Sequence, residues 1–84
     1  MTGTARLRVL LADDHALVRA GVRRVLELAE RFELVGETER GDETLATLER
    51  TRPDVLLLDL NMPGGDGFEV LRRRDAVSPD TRVI

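Results

Sequence analysis

The stretch Asp54-Val55-Leu56-Leu57-Leu58-Asp59-Leu60 limits the fold more than any other part of the chain. A strand with one wet face alternates apolar and polar side chains, whereas a strand covered on both faces does not. Four apolar residues in a row between two aspartates therefore read as a central strand with helices on both of its sides. Val9-Leu10-Leu11-Ala12, stopped by Asp13-Asp14, is a second run of this kind. The segment Phe32-Glu33-Leu34-Val35-Gly36-Glu37 is more polar, as an edge strand would be, and Thr81-Arg82-Val83-Ile84 opens a fourth strand.

Helical patterns fill the intervals. Val18, Val22, Val25 and Ala29 recur three or four apart and form one apolar stripe, with Arg19, Arg23, Glu27 and Glu30 on other faces. Asp14 or His15 is placed to cap this helix, and Glu27 to pair with Arg31 one turn on. A second helix starts at Gly41-Asp42-Glu43, continues through Leu45, Ala46 and Leu48, and is closed by Pro53. Its acids lie in the first turn, where the helix dipole favours them. Met62-Pro63-Gly64-Gly65 breaks the third strand, Phe68, Val70 and Leu71 mark a third helix, and Ser78-Pro79-Asp80 is a loop. The order β-α-β-α-β-α-β predicts an α/β, doubly wound parallel sheet with right-handed crossovers. With no internal repeat or linker, residues 1–84 form one domain.

Composition narrows the class. At 42% hydrophobic and 35% charged the chain is globular, and with 2% aromatic residues its core is built from Leu and Val. The absence of cysteine excludes a disulfide framework and a thiolate zinc site, and suits a reducing cytoplasm. No apolar run approaches the roughly 20 residues that cross a bilayer, and MTGTARLR lacks a signal-peptide core. A cytoplasmic protein with no membrane partner is expected. The net charge of −3, with no clustered basic face, argues against DNA binding by this chain alone. Every basic residue is arginine.

In open parallel sheets, ligands bind beyond the carboxyl ends of the strands, where strand order reverses. The first strand ends there in Asp13-Asp14 and the third in Asp59. If the two strands are neighbours, three carboxylates converge, and such a group persists only with a cation among them or with some protonated. Mg2+ is the natural ion, being hard, octahedral and content with carboxylates, water and phosphate oxygens. A carboxylate can also act as a nucleophile toward phosphorus. Phosphoryl transfer asks chiefly for positioning and charge neutralisation. Asp59 as nucleophile, with Asp13 and Asp14 holding the metal, is a mechanism that these residues alone support.

LADDHALVRAGVRRVLE followed by RPDVLLLDLNMPGGDGFEVLRRR resembles a response-regulator receiver domain, in particular those of LuxR-type transcriptional regulators. The resemblance runs from about Arg8 to Ile84. It implies a flavodoxin-like fold with strand order 2-1-3-4-5, here without the last strand and last two helices. It also implies Mg2+ on Asp13, Asp14, Asp59 and the backbone carbonyl of Asn61, and a phosphoryl group supplied to Asp59 by a sensor histidine kinase. Pro63 and Gly67 fall where the family shapes the loop after the phosphorylated strand. The family's Thr or Ser ending the fourth strand and its Lys ending the fifth have no counterpart in these residues. The expectation is therefore a C-terminally incomplete receiver domain that modifies only its own Asp59 and is not a turnover enzyme. Such a domain would act on DNA only through an absent helix-turn-helix domain, and would be completed by a second copy or a missing C-terminal segment. The alternative is a phosphorylation-incompetent interaction or dimerisation fragment of the same fold. An aspartate-nucleophile phosphatase of the haloacid-dehalogenase type is disfavoured, because it wants Asp where Asn61 stands.

Other signals have blander readings. His15, the one histidine, is read as a helix-start residue near solvent ahead of a metal ligand or phosphate relay. Gly64-Gly65-Asp66-Gly67 lacks the endings of a phosphate-cradling loop and is read as a flexible turn. Arg40-Gly41-Asp42 is a helix start that happens to spell an adhesion tripeptide. Arg72-Arg73-Arg74 is the solvated end of a helix.

Overall fold

The computed structural model describes residues 6–62 and 67–84. Strands β1 (Leu7–Ala12), β2 (Phe32–Thr38), β3 (Val55–Leu58) and β4 (Arg82–Val83) alternate with helices α1 (Ala16–Leu28), α2 (Gly41–Thr51) and α3 (Gly67–Val77). The strands form one parallel sheet in the order β2-β1-β3-β4. This is the doubly wound topology expected, with the more polar β2 at an edge and β1 beside β3. Strand β3 takes just the four apolar residues of its stretch, and β4 is confined to the middle two residues of Thr81-Arg82-Val83-Ile84.

The larger core lies on one face of the sheet. Leu10, Ala12 and Leu56 from the central strands meet Leu45 and Leu48 of α2, Val70 of α3, and Met62. Met62 is 3% exposed and so pins the chain that leaves β3 back against the sheet. In β2 one residue, Val35, is inserted between the partners of Val9 and Leu10. That bulge resets the register so that the Asp13 amide meets the Thr38 carbonyl at 3.0 Å. A buried polar chain anchors the start of β4: Thr81 Oγ1 donates to the Pro53 carbonyl at 2.6 Å, so Ser78 Oγ donates to Thr81 Oγ1. Buried hydroxyls are retained in this way because each finds a partner.

On the opposite face α1 departs from its sequence pattern. The residue it buries is Leu26, while Val18 and Val25 of the expected stripe are 47% and 64% exposed. The helix carries a wide apolar arc, and periodicity alone cannot say which part of that arc meets the sheet. Ion pairs decide it. Arg23 Nε lies 2.7 Å from Glu37 Oε2, and Arg19 Nη2 lies 2.9 Å from Glu39 Oε1, so α1 is drawn toward β2. No second helix shares this face among the described residues, which leaves Val18 and Val22 beside an open groove lined by Leu11 and Leu57. Two local expectations also change. His15 occupies the N-cap position without any side-chain cap bond. Glu27 faces Arg24 rather than Arg31, because α1 stops at Leu28 before the helix reaches Arg31.

Two tests follow from this placement. Leu26→Ala should destabilise the chain by about 2–3 kcal/mol, as removal of a buried leucine does, and Val25→Ala by no more than about 0.5 kcal/mol, both read from urea unfolding. The Arg23 guanidinium, by hydrogen bonding, holds the Glu37 carboxyl below its ordinary value of 4.5 against the opposing effect of burial. A depressed carboxylate stabilises the fold above its unfolded value, and that contribution is lost as pH falls through the folded value. Glu37→Gln should therefore cost up to about 1 kcal/mol near neutrality, limited by the solvent exposure of Arg23. The gap to wild type should close as the pH is lowered below the ordinary value of 4.5.

Candidate functional site

Adjacent strands bring the predicted acids together. Ala12 pairs with Leu58 in register, and the Asp59 amide donates to the Ala12 carbonyl at 2.9 Å. The residues that follow each strand, Asp13-Asp14 and Asp59, therefore leave the sheet side by side at its carboxyl edge. One oxygen from each of the three carboxylates, together with His15 Nδ1, lies in a group whose atoms are all within 4.8 Å of one another. The side chains of Asp13 and Asp59 are 16% and 19% exposed, half-sunk between the strand ends.

Backbone hydrogen bonds hold these groups. Asp13 Oδ1 accepts the His15 amide at 2.8 Å, a turn that directs the chain into α1. Asp59 Oδ1 accepts the Asn61 amide at 3.0 Å, so Asn61 stands beside the cluster through its backbone while its side chain is exposed. Arg19 reaches back from the first turn of α1 and donates to the Asp13 carbonyl at 2.6 Å. This tether was not legible in the sequence, because only the folded helix places Arg19 over the end of β1.

Gly67 was placed by resemblance, and its physical reason is now clear. Its amide donates to the Leu60 carbonyl at 3.1 Å, and a Cβ there would run into Leu60 Cα and stand 2.7 Å from the Asp59 carbonyl oxygen. The start of α3 therefore lies directly on the backbone that carries Asp59. Pro63 and the Gly64-Gly65-Asp66 part of the predicted turn lie outside the described residues.

Electrostatics in this corner are one-sided. The His15 ring approaches Asp13 Oδ1 at 2.7 Å, Asp14 Oδ1 at 3.1 Å and Asp59 Oδ2 at 3.6 Å. The Asp13 hydrogen bond above all, then the charges of Asp14, Asp13 and Asp59, raise its pKa above the ordinary 6.5. His15 is an exposed helix-start residue, and it also lies against the acidic cluster, as its place directly after Asp13-Asp14 suggests. Elsewhere, Arg40 pairs with Asp42 at the start of α2 as a local contact. Arg74 is not simply solvated: its Nη1 donates to the Thr81 carbonyl at 2.8 Å and ties α3 to the turn before β4.

Chemically the cluster offers a hard, anionic oxygen set able to hold a divalent cation. It also offers a carboxylate, Asp59, with one oxygen engaged by a backbone amide and the other facing the cluster.

Comparison with known proteins agrees with this architecture. Residues 9–84 match the response regulator receiver domain. The nitrate/nitrite response regulator protein homolog of Haemophilus influenzae is 40% identical over 79 residues, which cover 94% of this chain and 38% of that protein. Response regulator UvrY of Escherichia coli is 40% identical over 78 residues, covering 93% of this chain and 36% of its own. Among solved structures, the NarL signal receiver domain from Mycobacterium tuberculosis superposes with a TM-score of 0.89 at 40% identity, over 95% of this chain and 64% of that one. RcsB from Salmonella enterica serovar Typhimurium, bound to a promoter in the presence of the phosphomimetic BeF3−, superposes at 0.84 with 33% identity, over 94% and 41%. The chain thus spans little more than a third of the curated relatives it matches.

Gly67→Ala gives a local test of the site's scaffold. Alanine ordinarily improves on glycine in a helix by about 1 kcal/mol; here it should instead destabilise by about 1–3 kcal/mol and displace the Asp59 and Leu60 amide resonances in NMR spectra. Unchanged resonances with a stabilised fold would contradict the close approach.

Proposed function

The chain belongs to the response regulator receiver domain family, and on that premise we propose that Asp59 accepts a phosphoryl group with the help of Mg2+. Asp13, Asp14 and Asp59 would hold the ion, joined by the backbone carbonyl of Asn61. The observation that carries this reading is the convergence of three carboxylates from two neighbouring strand ends. Their donor set fits the ion: oxygens only among the acids, and no thiolate in the chain. When bound, Mg2+ neutralises charge on the transferred group's oxygens.

The protein's own groups do the rest. Asp59 attacks the phosphorus of a phosphohistidine on a sensor histidine kinase through a carboxylate oxygen. A P–O bond forms as the P–N bond breaks, and the departing imidazole nitrogen keeps the electron pair and takes a proton. The Asn61 amide on Asp59 Oδ1 leaves Oδ2, on the cluster side, as the attacking oxygen. Holding Asp59 against the end of β1 fixes that oxygen before the partner arrives, which is the main contribution a protein makes to such a transfer. The product is a modified Asp59, so the domain is a signalling module rather than a turnover enzyme.

Relatives carry the reading outward. RcsB is described as bound to promoter DNA and as forming dimers on it. By analogy, phosphorylation here would control transcription in the cytoplasm through an output domain outside these 84 residues. Asn61, standing where a haloacid-dehalogenase phosphatase requires its acid, disfavours hydrolysis of free phosphomonoesters. Among the described residues no helix is long and apolar enough to cross a membrane.

Acetyl phosphate with Mg2+, given to a protein containing this domain, should label it, and Asp59→Asn should abolish the label. A label that persists in the Asn variant would defeat the assignment. Mg2+ should also raise the melting temperature, since an ion bound only by the folded state at a hundredfold excess over Kd adds about 2.7 kcal/mol. Asp13→Asn combined with Asp14→Asn should remove most of that shift.

A further inference from the structure

Beyond Thr38 the ladder between β1 and β2 stops. The Asp13 amide donates to the Thr38 carbonyl at 3.0 Å, and the next amide of the edge strand, that of Glu39, turns away to the Glu43 carboxylate at 2.9 Å. The Asp13 carbonyl is met by a side chain instead: Arg19 Nη1 donates to it at 2.6 Å. Nη2 of the same guanidinium lies 2.9 Å from Glu39 Oε1, and its Nε lies 3.5 Å from Glu37 Oε1. The Arg19 side chain is 13% exposed, against 44% for Arg23 one turn on, which also pairs with Glu37. One planar peptide carries the Asp13 carbonyl together with the Cα atoms of Asp13 and Asp14. A donor fixed on that oxygen therefore sets the tilt of the plane, and with it the direction in which each carboxylate leaves the backbone. From this geometry we infer that Arg19 is a positioning residue of the site: its fork, braced on the end of β2, aims Asp13 and Asp14 at Asp59.

The inference rests on the reading that the acidic triad holds a divalent ion, and adds to it a group directed at the backbone rather than at the carboxylates. The chemistry of arginine suits the part. A guanidinium presents five N–H donors in a rigid plane, so one side chain holds a carbonyl and two carboxylates at once, which a lysine ammonium on its flexible stem does not do with the same fixity. Glu37 and Glu39 also offset its charge, so this cation competes little with an ion bound beside it. Shape and charge act in opposite directions here. Removing a positive charge close to the pocket, and releasing two glutamates, favours a divalent cation by Coulomb attraction. Removing a brace that aims the ligands disfavours it. The sign of the change tells the two apart.

Mg2+ should be titrated into the chain and into its Arg19→Met, Arg19→Lys and Arg23→Met variants, with binding read from amide resonances and folding from circular dichroism. Arg19→Met should weaken Mg2+ by about tenfold, the lower end of the losses seen when a group supporting metal ligands is removed. It should also displace the Asp14 amide resonance in the metal-free protein. Arg19→Lys keeps the charge and should still bind Mg2+ more weakly than wild type, and it decides the matter should the Met variant fail to fold. Arg23→Met breaks a comparable ion pair with Glu37 but leaves the Asp13 carbonyl alone, so its Mg2+ affinity and its Asp14 resonance should stay at wild-type values. Tighter or unchanged Mg2+ binding in the folded Arg19 variants would overturn the inference. So would equal weakening by Arg19→Met and Arg23→Met, which would reduce the fork to a part of the packing between α1 and β2. Binding by wild type is the separate check on the triad: if wild type binds no Mg2+, the metal reading fails and the inference falls with it.

Discussion

Everything at the carboxyl edge depends on one backbone hydrogen bond pattern, the parallel pairing of β1 with β3 that ends with the Asp59 amide on the Ala12 carbonyl. Parallel pairing is what makes both strands finish at the same edge. Adjacency is what makes their next residues meet. Neither strand could satisfy the requirement alone, and a single-residue slip would turn the side chains after each strand to opposite faces of the sheet. The buried apolar residues of both strands fix that register, since slipping would also expose Leu10 and Leu56. The chemistry of the corner is thus a consequence of core packing a few ångström away.

The same arrangement is electrostatically expensive. Three converging carboxylates, two of them partly buried, repel one another, and the fold offers them only limited relief from within. Asp13 Oδ1 takes the His15 amide, Asp59 Oδ1 takes the Asn61 amide, and the exposed His15 ring lies among all three acids. Arg19, at the start of α1, is directed elsewhere: it donates to the Asp13 carbonyl and to Glu39 rather than to an acid of the cluster. An arginine pointed at the acids would stabilise the resting fold and close the site to a cation. Tying that arginine to a carbonyl keeps the backbone firm while leaving the carboxylate oxygens available.

Much of this was legible in the sequence, and the limits have physical causes. The apolar runs ending in Asp13-Asp14 and Asp59 announced the central strands, because burial on both faces leaves no room for alternation. Gly36 and Glu37 in the second run announced an edge, and β2 is one. The α1 stripe misled for an identifiable reason: Val18, Val22, Val25, Leu26 and Ala29 all lie on one broad arc, and the choice among them was made by Arg19 and Arg23 reaching for acids on and just beyond β2. Such pairings between distant segments leave no periodic trace. Asp13 and Asp59 carried a signal through their place after strands, whereas His15 carried none beyond its proximity to two acids.

Gly67 illustrates how the scaffold and the site share one constraint. Its missing side chain lets the first turn of α3 rest on the Asp59-Leu60 backbone, while Met62 is sunk in the core just before it. Asp59 is therefore held from both directions, by β1 on one flank and by the returning helix on the other. Motion of the acid relative to the sheet would have to disturb the Gly67 contact or lift Met62 from the core. A group fixed in this way cannot adapt to its ligand. Any rearrangement that accompanies a change in charge at Asp59 must instead be taken up where the packing is weaker, along the uncovered flank of α1 and the two-residue strand β4.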